Sequence, residues 1–195
     1  MNLTENSPET ICLITPPSPF LLDERVFMHI GILKVASSLE SRGHKVEFLD
    51  LSGIDNYLKV VEDYCKSSNI KTFGLTASTP QVPFAVLISK AIRKHKPSAK
   101  IILGGPHVTL MNTACKREVK RGLDKSNRAT EDISKLASLF DVLVCGDGEL
   151  TIFEALKINR GIVDADDRKS PFFLSNQQFS DLPLPARHLL DVDSY

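Results

Sequence analysis

Net charge is absent from this chain: Lys plus Arg and Asp plus Glu both number 24. A balanced surface gives no electrostatic reason to bind nucleic acid or an anionic membrane, so neither is an expected partner. Long apolar runs are missing too. The uncharged stretch from Thr10 to Leu22 is interrupted by Pro16, Pro17 and Pro19. No segment approaches the roughly 20 apolar residues of a membrane-spanning helix. The opening MNLTENSPET lacks the basic region and apolar core of a secretory leader. The four cysteines, Cys12, Cys65, Cys115 and Cys145, form no CxxC, CxxxCxxC or Cys/His spacing suited to zinc or an iron–sulfur cluster. Cys12 and Cys145 sit in apolar runs and read as small buried hydrophobes. A reducing, cytoplasmic setting is therefore expected. Also missing are a GxGxxG after the first strand-like segment, a GxxxxGK phosphate loop and a serine in a GxSxG setting.

What is present suits one α/β domain. The 195 residues are 42% hydrophobic and 25% charged, enough chain to bury about 70% of its unfolded surface. Strand-like runs alternate with helical stripes. TICLIT is followed by the proline-rich PPSPFLLDERVFM, and a helix over His29–Arg42 is stopped by Gly43. KVEFLDL is the second strand, Leu58, Val61 and Cys65 mark a second helix, and KTFGLTA is the third strand. Pro83 opens a third helix, where its missing N–H is not needed. AKIILGG and FDVLVCG are the fourth and fifth strands, and ELTIFEAL opens the next helix. Near-continuous apolar strands are expected where helices cover both faces of a parallel sheet. The charged segment from Met111 to Phe140 reads as a helical crossover carrying a polar insertion near 112–138. Beyond the α/β unit of residues 1–160 the pattern decays. PFFL reads as a short edge strand, and residues 161–195 as an extended arm or linker.

Ligands of an open parallel sheet bind outside the carboxyl ends of its strands. The segments there are PPSPF, LSG, STPQVP, GGPHVT and GDGEL. Glycine, proline and hydroxyl residues in such loops bring backbone N–H groups close to a flat or phosphate-bearing ligand. Each piece also has a plain reading. GDGEL suits a capped turn in which Glu149 and Thr151 satisfy free N–H groups, and a lone histidine such as His107 suits a hydrogen-bonded surface turn.

Taken together, the loops resemble the cobalamin-binding domain that precedes the radical S-adenosylmethionine core in cobalamin-dependent radical enzymes, many of them methyltransferases. The resemblance rests on ICLITPP, HIGILKVASSLESRGHKVEFLDL, FGLTASTPQVPFAVLISKAIRKHKPSAKIILGGPHVT, FDVLVCGDGELTIFEAL and the closing DLPLPARHLLDVDSY. It covers most of residues 10–158 and the tail. It implies a flavodoxin-like, Rossmann-like doubly wound sheet of five parallel strands in the order 2-1-3-4-5, with helices on both faces. Cobalamin would lie over the strand ends, with its nucleotide tail in a cleft. The binding residues implied are Pro16, Pro17, Gly31, Ser78, Thr79, Pro80, Gln81, Val82, Gly104, Gly105, Pro106, His107, Thr109, Gly146, Asp147, Gly148 and Glu149.

The DxHxxG motif that supplies a cobalt-ligating histidine elsewhere is absent. His29, His44, His95, His107 and His188 have Phe27, Arg42, Arg93, Gly105 and Ala186 two places before them. No protein ligand to cobalt is expected, and His107 reads as a hydrogen-bonding residue at the corrin edge or tail. The CxxxCxxC motif is also absent, so the chain itself is not expected to be catalytic. S-adenosylmethionine and a 4Fe-4S cluster would belong to a separate radical domain, in cis or trans. Two other readings stay open on the residues alone: a flavodoxin-like module for a flavin or nucleotide, and a cofactor-free interaction domain.

Overall fold

A computed structural model describes residues 7–122 and 127–195. The leader-free reading of the first six residues, and positions 123–126 of the charged segment, lie outside the described residues. The chain runs β1 (Thr10–Thr15), α1 (Ile30–Ser41), β2 (Lys45–Asp50), α2 (Tyr57–Ser67), β3 (Thr72–Thr76), α3 (Val82–His95) and β4 (Lys100–Gly104). It continues with α4 (Pro106–Lys120), α5 (Arg128–Leu139), β5 (Val142–Cys145), α6 (Gly148–Lys157), β6 (Gly161–Asp164) and α7 (Asn176–Asp181). All strand pairs are parallel, in the order β2-β1-β3-β4-β5-β6.

The sheet therefore has six strands, which corrects the expected five. The order of the first five is as expected, and GIVD adds β6 beside β5, with Val144 opposite Val163. PFFL, expected as the edge strand, forms none. GIVD is too short to show a period, and only its Val163 is buried. Its pairing comes from backbone groups that no side-chain pattern announces.

Side chains alternate across the sheet. Cys12, Ile14, Phe73, Leu75, Ile101, Leu103, Leu143 and Cys145 point to the face covered by α2, α3 and α5. Ile11, Leu13, Ile102, Val142 and Val144 point to the face covered by α1 and α6. The β5–α6–β6 connection steps across the sheet in the same direction as β3–α3–β4, but on the other face. It therefore has the opposite hand, a rare choice for a parallel crossover. It places Ile152, Phe153 and Leu156 over Val142 and Val144, which α1 alone does not cover.

The segment read as a crossover with an insertion is two helices packed against each other, α4 and α5. The first begins directly at Pro106, so GGPHVT is a strand end and a helix start, not a loop. Glu118 on α4 accepts from the Ala129 and Thr130 N–H groups and so caps α5. Burial pushes the Cys12 and Cys145 thiols up to about 12, in keeping with their expected role as inert hydrophobes.

The tail after β6 runs along the outer side of α1. The Ala186 N–H donates to Leu33 O at 3.1 Å. The Lys34 ammonium lies 3.8 Å from the Phe179 ring centre, and His188 Nε2 is 3.0 Å from Glu40 Oε1. The Tyr195 hydroxyl meets Asp50 at the carboxyl end of β2. No helix among the described residues is long and apolar enough to cross a membrane.

At the amino ends of the strands, Asp141 joins three elements. Its carboxylate accepts from the Ile101 N–H at 2.8 Å and from Arg93 of α3. Its carbonyl accepts the Gly161 N–H at 3.0 Å, which starts β6. Asp141→Ala leaves Arg93 and the Ile101 N–H without this acceptor. It is expected to cost about 2–4 kcal/mol in urea unfolding. Ligand binding at the opposite end of the sheet should be unchanged.

Candidate functional site

The sheet reverses its winding between β1 and β3, because β2 lies on one side of this pair and β4 to β6 lie on the other. The crevice at such a switch point is where an open α/β sheet takes its ligand. Here it deepens into a cavity of about 570 Å³. One wall is α1, through Gly31, Ile32 and Val35, and the other is α6, through Gly148, Glu149 and Ile152. The floor is the sheet face itself.

That floor is low because its side chains are small or missing. Leu13, Gly74 and Ile102 are neighbours across β1, β3 and β4. Gly74 has no side chain between these two branched ones, and Leu13 leans over it: a Cβ there would lie 2.7 Å from Leu13 Cδ2. Two residues further on, Thr76 pairs with Gly104. Glycine inside a strand marks this kind of close approach.

Two turns frame the mouth, and each needs a glycine. Gly105 has φ +96°, and a Cβ there would stand 2.6 Å from Thr76 Oγ1 and 2.7 Å from Ala77 N. Gly146 has φ +80°, and its Cβ would stand 2.6 Å from Asp166 N. Both conformations strain an L side chain. Thr109, in the first turn of α4, ties the turns together. Its hydroxyl donates to Gly105 O at 3.2 Å and accepts the Gly146 N–H at 2.9 Å.

The residues implied by the resemblance fall into two groups. Gly31, Gly104, Gly105, Pro106, Thr109, Gly146, Asp147, Gly148 and Glu149 line the cavity. Pro16, Pro17, Ser78, Thr79, Pro80, Gln81, Val82 and His107 lie beside it, at or just beyond the strand ends. In this second group Gln81 holds the β1 and β3 loops together. Its amide donates to Pro16 O at 3.0 Å and to Ser18 Oγ at 2.8 Å, while its carbonyl accepts from Ser78 N at 2.9 Å. Thr79 Oγ1 is 3.1 Å from His107 Nδ1. Burial lowers the His107 pKa, partly opposed by Asp132.

The expected capping by Glu149 and Thr151 is realised in part. N–H groups of Glu149 and Gly148 only partly oppose the rise that burial causes in the Glu149 carboxyl pKa, and the Thr151 hydroxyl donates to Asp147 O at 2.7 Å instead of accepting an N–H. Residue-by-residue reading of the loops missed Leu13, Ile32, Val35, Gly74, Leu75, Thr76, Ile102, Leu110, Val144, Ile152 and Asp166. Gly74, a glycine inside TFGLT, was the one visible signal; the others look like ordinary core or surface positions. Also at this end is His29, just before α1, with its ring 5.7 Å from that of Phe27. Burial lowers its pKa, partly opposed by Asp50.

A trough with an apolar floor, a mouth of backbone turns and walls of two helix starts suits a large, mostly flat cofactor with one protruding limb. Residues 25–132, more than half of the chain, match the B12 binding domain family, and the chain belongs to it. The ligand of that family is cobalamin. The cavity lining fits it in chemistry, with apolar surface from Leu13, Ile102, Val144 and Ile152 and polar groups from Thr109, Asp147, Glu149 and Asp166.

The chain is 24% identical over 200 residues to an uncharacterized methyltransferase, PH0819, of Pyrococcus horikoshii. The match covers 95% of this chain and 39% of that protein, so the chain spans about two fifths of the length of this curated relative. Two solved structures of the radical S-adenosylmethionine methyltransferase TsrM from Kitasatospora setae are also similar. One holds a tryptophan substrate and a S-adenosylmethionine analogue, with 18% identity, a TM-score of 0.45 and coverage of 58% of this chain and 22% of that one. The other holds cobalamin and a 4Fe-4S cluster, with 19% identity, a TM-score of 0.45 and coverage of 59% and 21%.

Glu149 lines the cavity at 6% exposure, and burial raises its carboxyl pKa above the usual range. A raised folded-state pKa means that ionisation opposes folding. The associated stability is complete below the ordinary Glu range and is lost as pH rises through the raised value. Glu149→Gln should therefore be more stable than the wild type at pH 7 in urea unfolding. The difference should close as pH falls below the ordinary Glu range.

Proposed function

We propose that this chain is the cofactor domain of a cobalamin-dependent radical S-adenosylmethionine methyltransferase. Corrin lies across the carboxyl ends of the strands, base-off, with no protein histidine on cobalt. The observation that carries the reading is the cavity of about 570 Å³ that drops from the β1/β3 switch point onto Leu13, Gly74 and Ile102 of the sheet face. A base that has left cobalt needs such a place to go.

Bound cobalamin supplies methyl-transfer chemistry. The chain's own part is to hold and orient. The Gly104–Gly105 and Gly146–Gly148 turns admit the ligand close to the backbone, and Thr109 keeps those two turns at a fixed separation. Gln81 does the same for the β1 and β3 loops, so Pro16, Pro17 and Ser78–Val82 form a firm rim. Thr79 and His107, bonded to each other, present a polar pair to the corrin edge. Asp147 and Glu149 stand at the start of α6, where the nucleotide limb would pass into the cavity.

The other corrin face is left for a second domain, in cis or trans, that holds S-adenosylmethionine and a 4Fe-4S cluster. The loop before α1 supports this. Phe20, Leu22, Val26 and Phe27 there are half or more exposed, an apolar rim that suits a docked domain.

The test is to mix the purified chain with hydroxocobalamin, desalt it and record its visible spectrum. A retained base-off corrin is expected. After reduction to Co(II), the electron paramagnetic resonance spectrum should show no nitrogen splitting from an axial imidazole. His29→Ala and His107→Ala should leave that signal unchanged. A nitrogen-split signal that disappears in either variant would falsify the histidine-free assignment. No retained corrin, with flavin co-purifying instead, would favour a flavin module.

A further inference from the structure

The segment between Pro17 and Gly31 runs from the rim of the proposed cofactor site to the wall of its cavity, and it forms no helix or strand before Ile30. Its own backbone bonds are local, from the Leu21 N–H to Ser18 O at 2.9 Å and from the Ile30 N–H to Met28 O at 2.9 Å. Its apolar side chains Phe20, Leu22, Val26 and Phe27 are exposed and anchor nothing. Gln81 secures its start through Pro16 O and Ser18 Oγ. Further along, Arg25 closes a ring of four contacts at the carboxyl end of β2. Arg25 Nε donates to Ser52 O at 3.2 Å, and the Ser52 N–H donates to Asp50 Oδ1 at 3.1 Å. Asp50 Oδ2 accepts from the Tyr195 hydroxyl. The Tyr195 ring completes the circuit, with its centre 5.8 Å from the Arg25 guanidinium carbon. A guanidinium at this distance is attracted to the face of an aromatic ring.

We propose that Arg25 and Tyr195 are positioning residues of the cofactor site. The clasp they form fixes the segment from Pro17 to Gly31, and with it the rim and the α1 wall that a bound corrin would meet. The inference rests on the cobalamin reading. Neither side chain lines the cavity, so both act on the ligand through the segment they hold. A segment ordered beforehand loses less freedom on binding, and the gain is felt mainly as slower release. Tyr195 thereby makes the tail beyond α7 a working part of the site.

The test uses the whole chain. It contains no tryptophan, so Leu22→Trp places a single fluorescent reporter on the segment. Without cobalamin, Arg25→Ala and Tyr195→Ala in this background should each lower the residual anisotropy of the reporter. Circular dichroism should show the fold retained. With Leu22 restored, release of bound hydroxocobalamin is followed by visible absorbance after timed desalting. It should be about 3- to 10-fold faster in each variant, the effect of losing one modest contact. Tyr195→Phe keeps the ring over Arg25 but not the bond to Asp50, and should fall between Tyr195→Ala and the wild type. The double variant should release cobalamin no faster than the faster single one, since either loss opens the same ring.

Unchanged anisotropy in Tyr195→Ala would overturn the clasp. A loosened segment with unchanged cobalamin release would overturn the positioning role and leave the cofactor reading intact. Additive effects in the double variant would also overturn it, because the two residues would then be independent anchors. A wild-type chain that retains no corrin would sink the cofactor reading, whatever the anisotropy shows, and the positioning role with it.

Discussion

A helix packed on a sheet leaves space that side chains must fill, and apart from Ile102 the residues facing α1 and α6 toward the ends of β3 and β4 do not fill it. Gly74, Thr76 and Gly104 occupy positions where a core would normally carry large branched side chains. An unfilled volume of this kind costs stability, since its lining loses contacts that dense packing would supply. The opposite face of the sheet carries large side chains. Phe73, Ile101, Leu103, Leu143 and Phe140 are fully buried there beneath α2, α3 and α5. One face of the sheet secures the fold, and the other is left open for a ligand.

The open face depends on positions that allow little substitution. Gly105 and Gly146 end adjacent strands β4 and β5 at positive φ and start helices α4 and α6 at once. The starts of both helices thus face the ligand end of the sheet, where free N–H groups and the helix dipole favour anionic groups. Thr109 and Gln81 are polar residues at a binding site, yet their bonds run within the protein. They contribute rigidity, which reduces what a ligand would otherwise lose in ordering the loops.

Much of the fold was legible because its signals are local. Apolar runs placed the first five strands, and Pro83, Gly43 and the glycine-rich strand ends marked where helices begin and stop. The loops that ring the mouth were visible for the same reason, since GGPHVT and GDGEL directly follow apolar strands, although each alone also suits an ordinary turn. The sixth strand was not. GIVD buries one side chain, and its place is set by the backbone bonds of its neighbour and by Asp141, which accepts the Gly161 N–H. The helix that begins at Pro106 was hidden too, because Gly-Gly-Pro reads as a turn unless the Gly105 conformation is known.

Residue types and their spacing thus determined the alternation of strands and helices, the glycine turns and the absence of a DxHxxG histidine. These are properties of short stretches, where φ preference and hydrophobic period act residue by residue. The tertiary structure alone decided that α6 crosses to the face of α1, with the hand opposite to the other crossovers. It alone set Gly74 between Leu13 and Ile102 and made the cavity. A void is the absence of atoms among elements distant in sequence, so no single stretch encodes it. It exists only once α1, α6 and three strands are held at fixed separations by the packing around them.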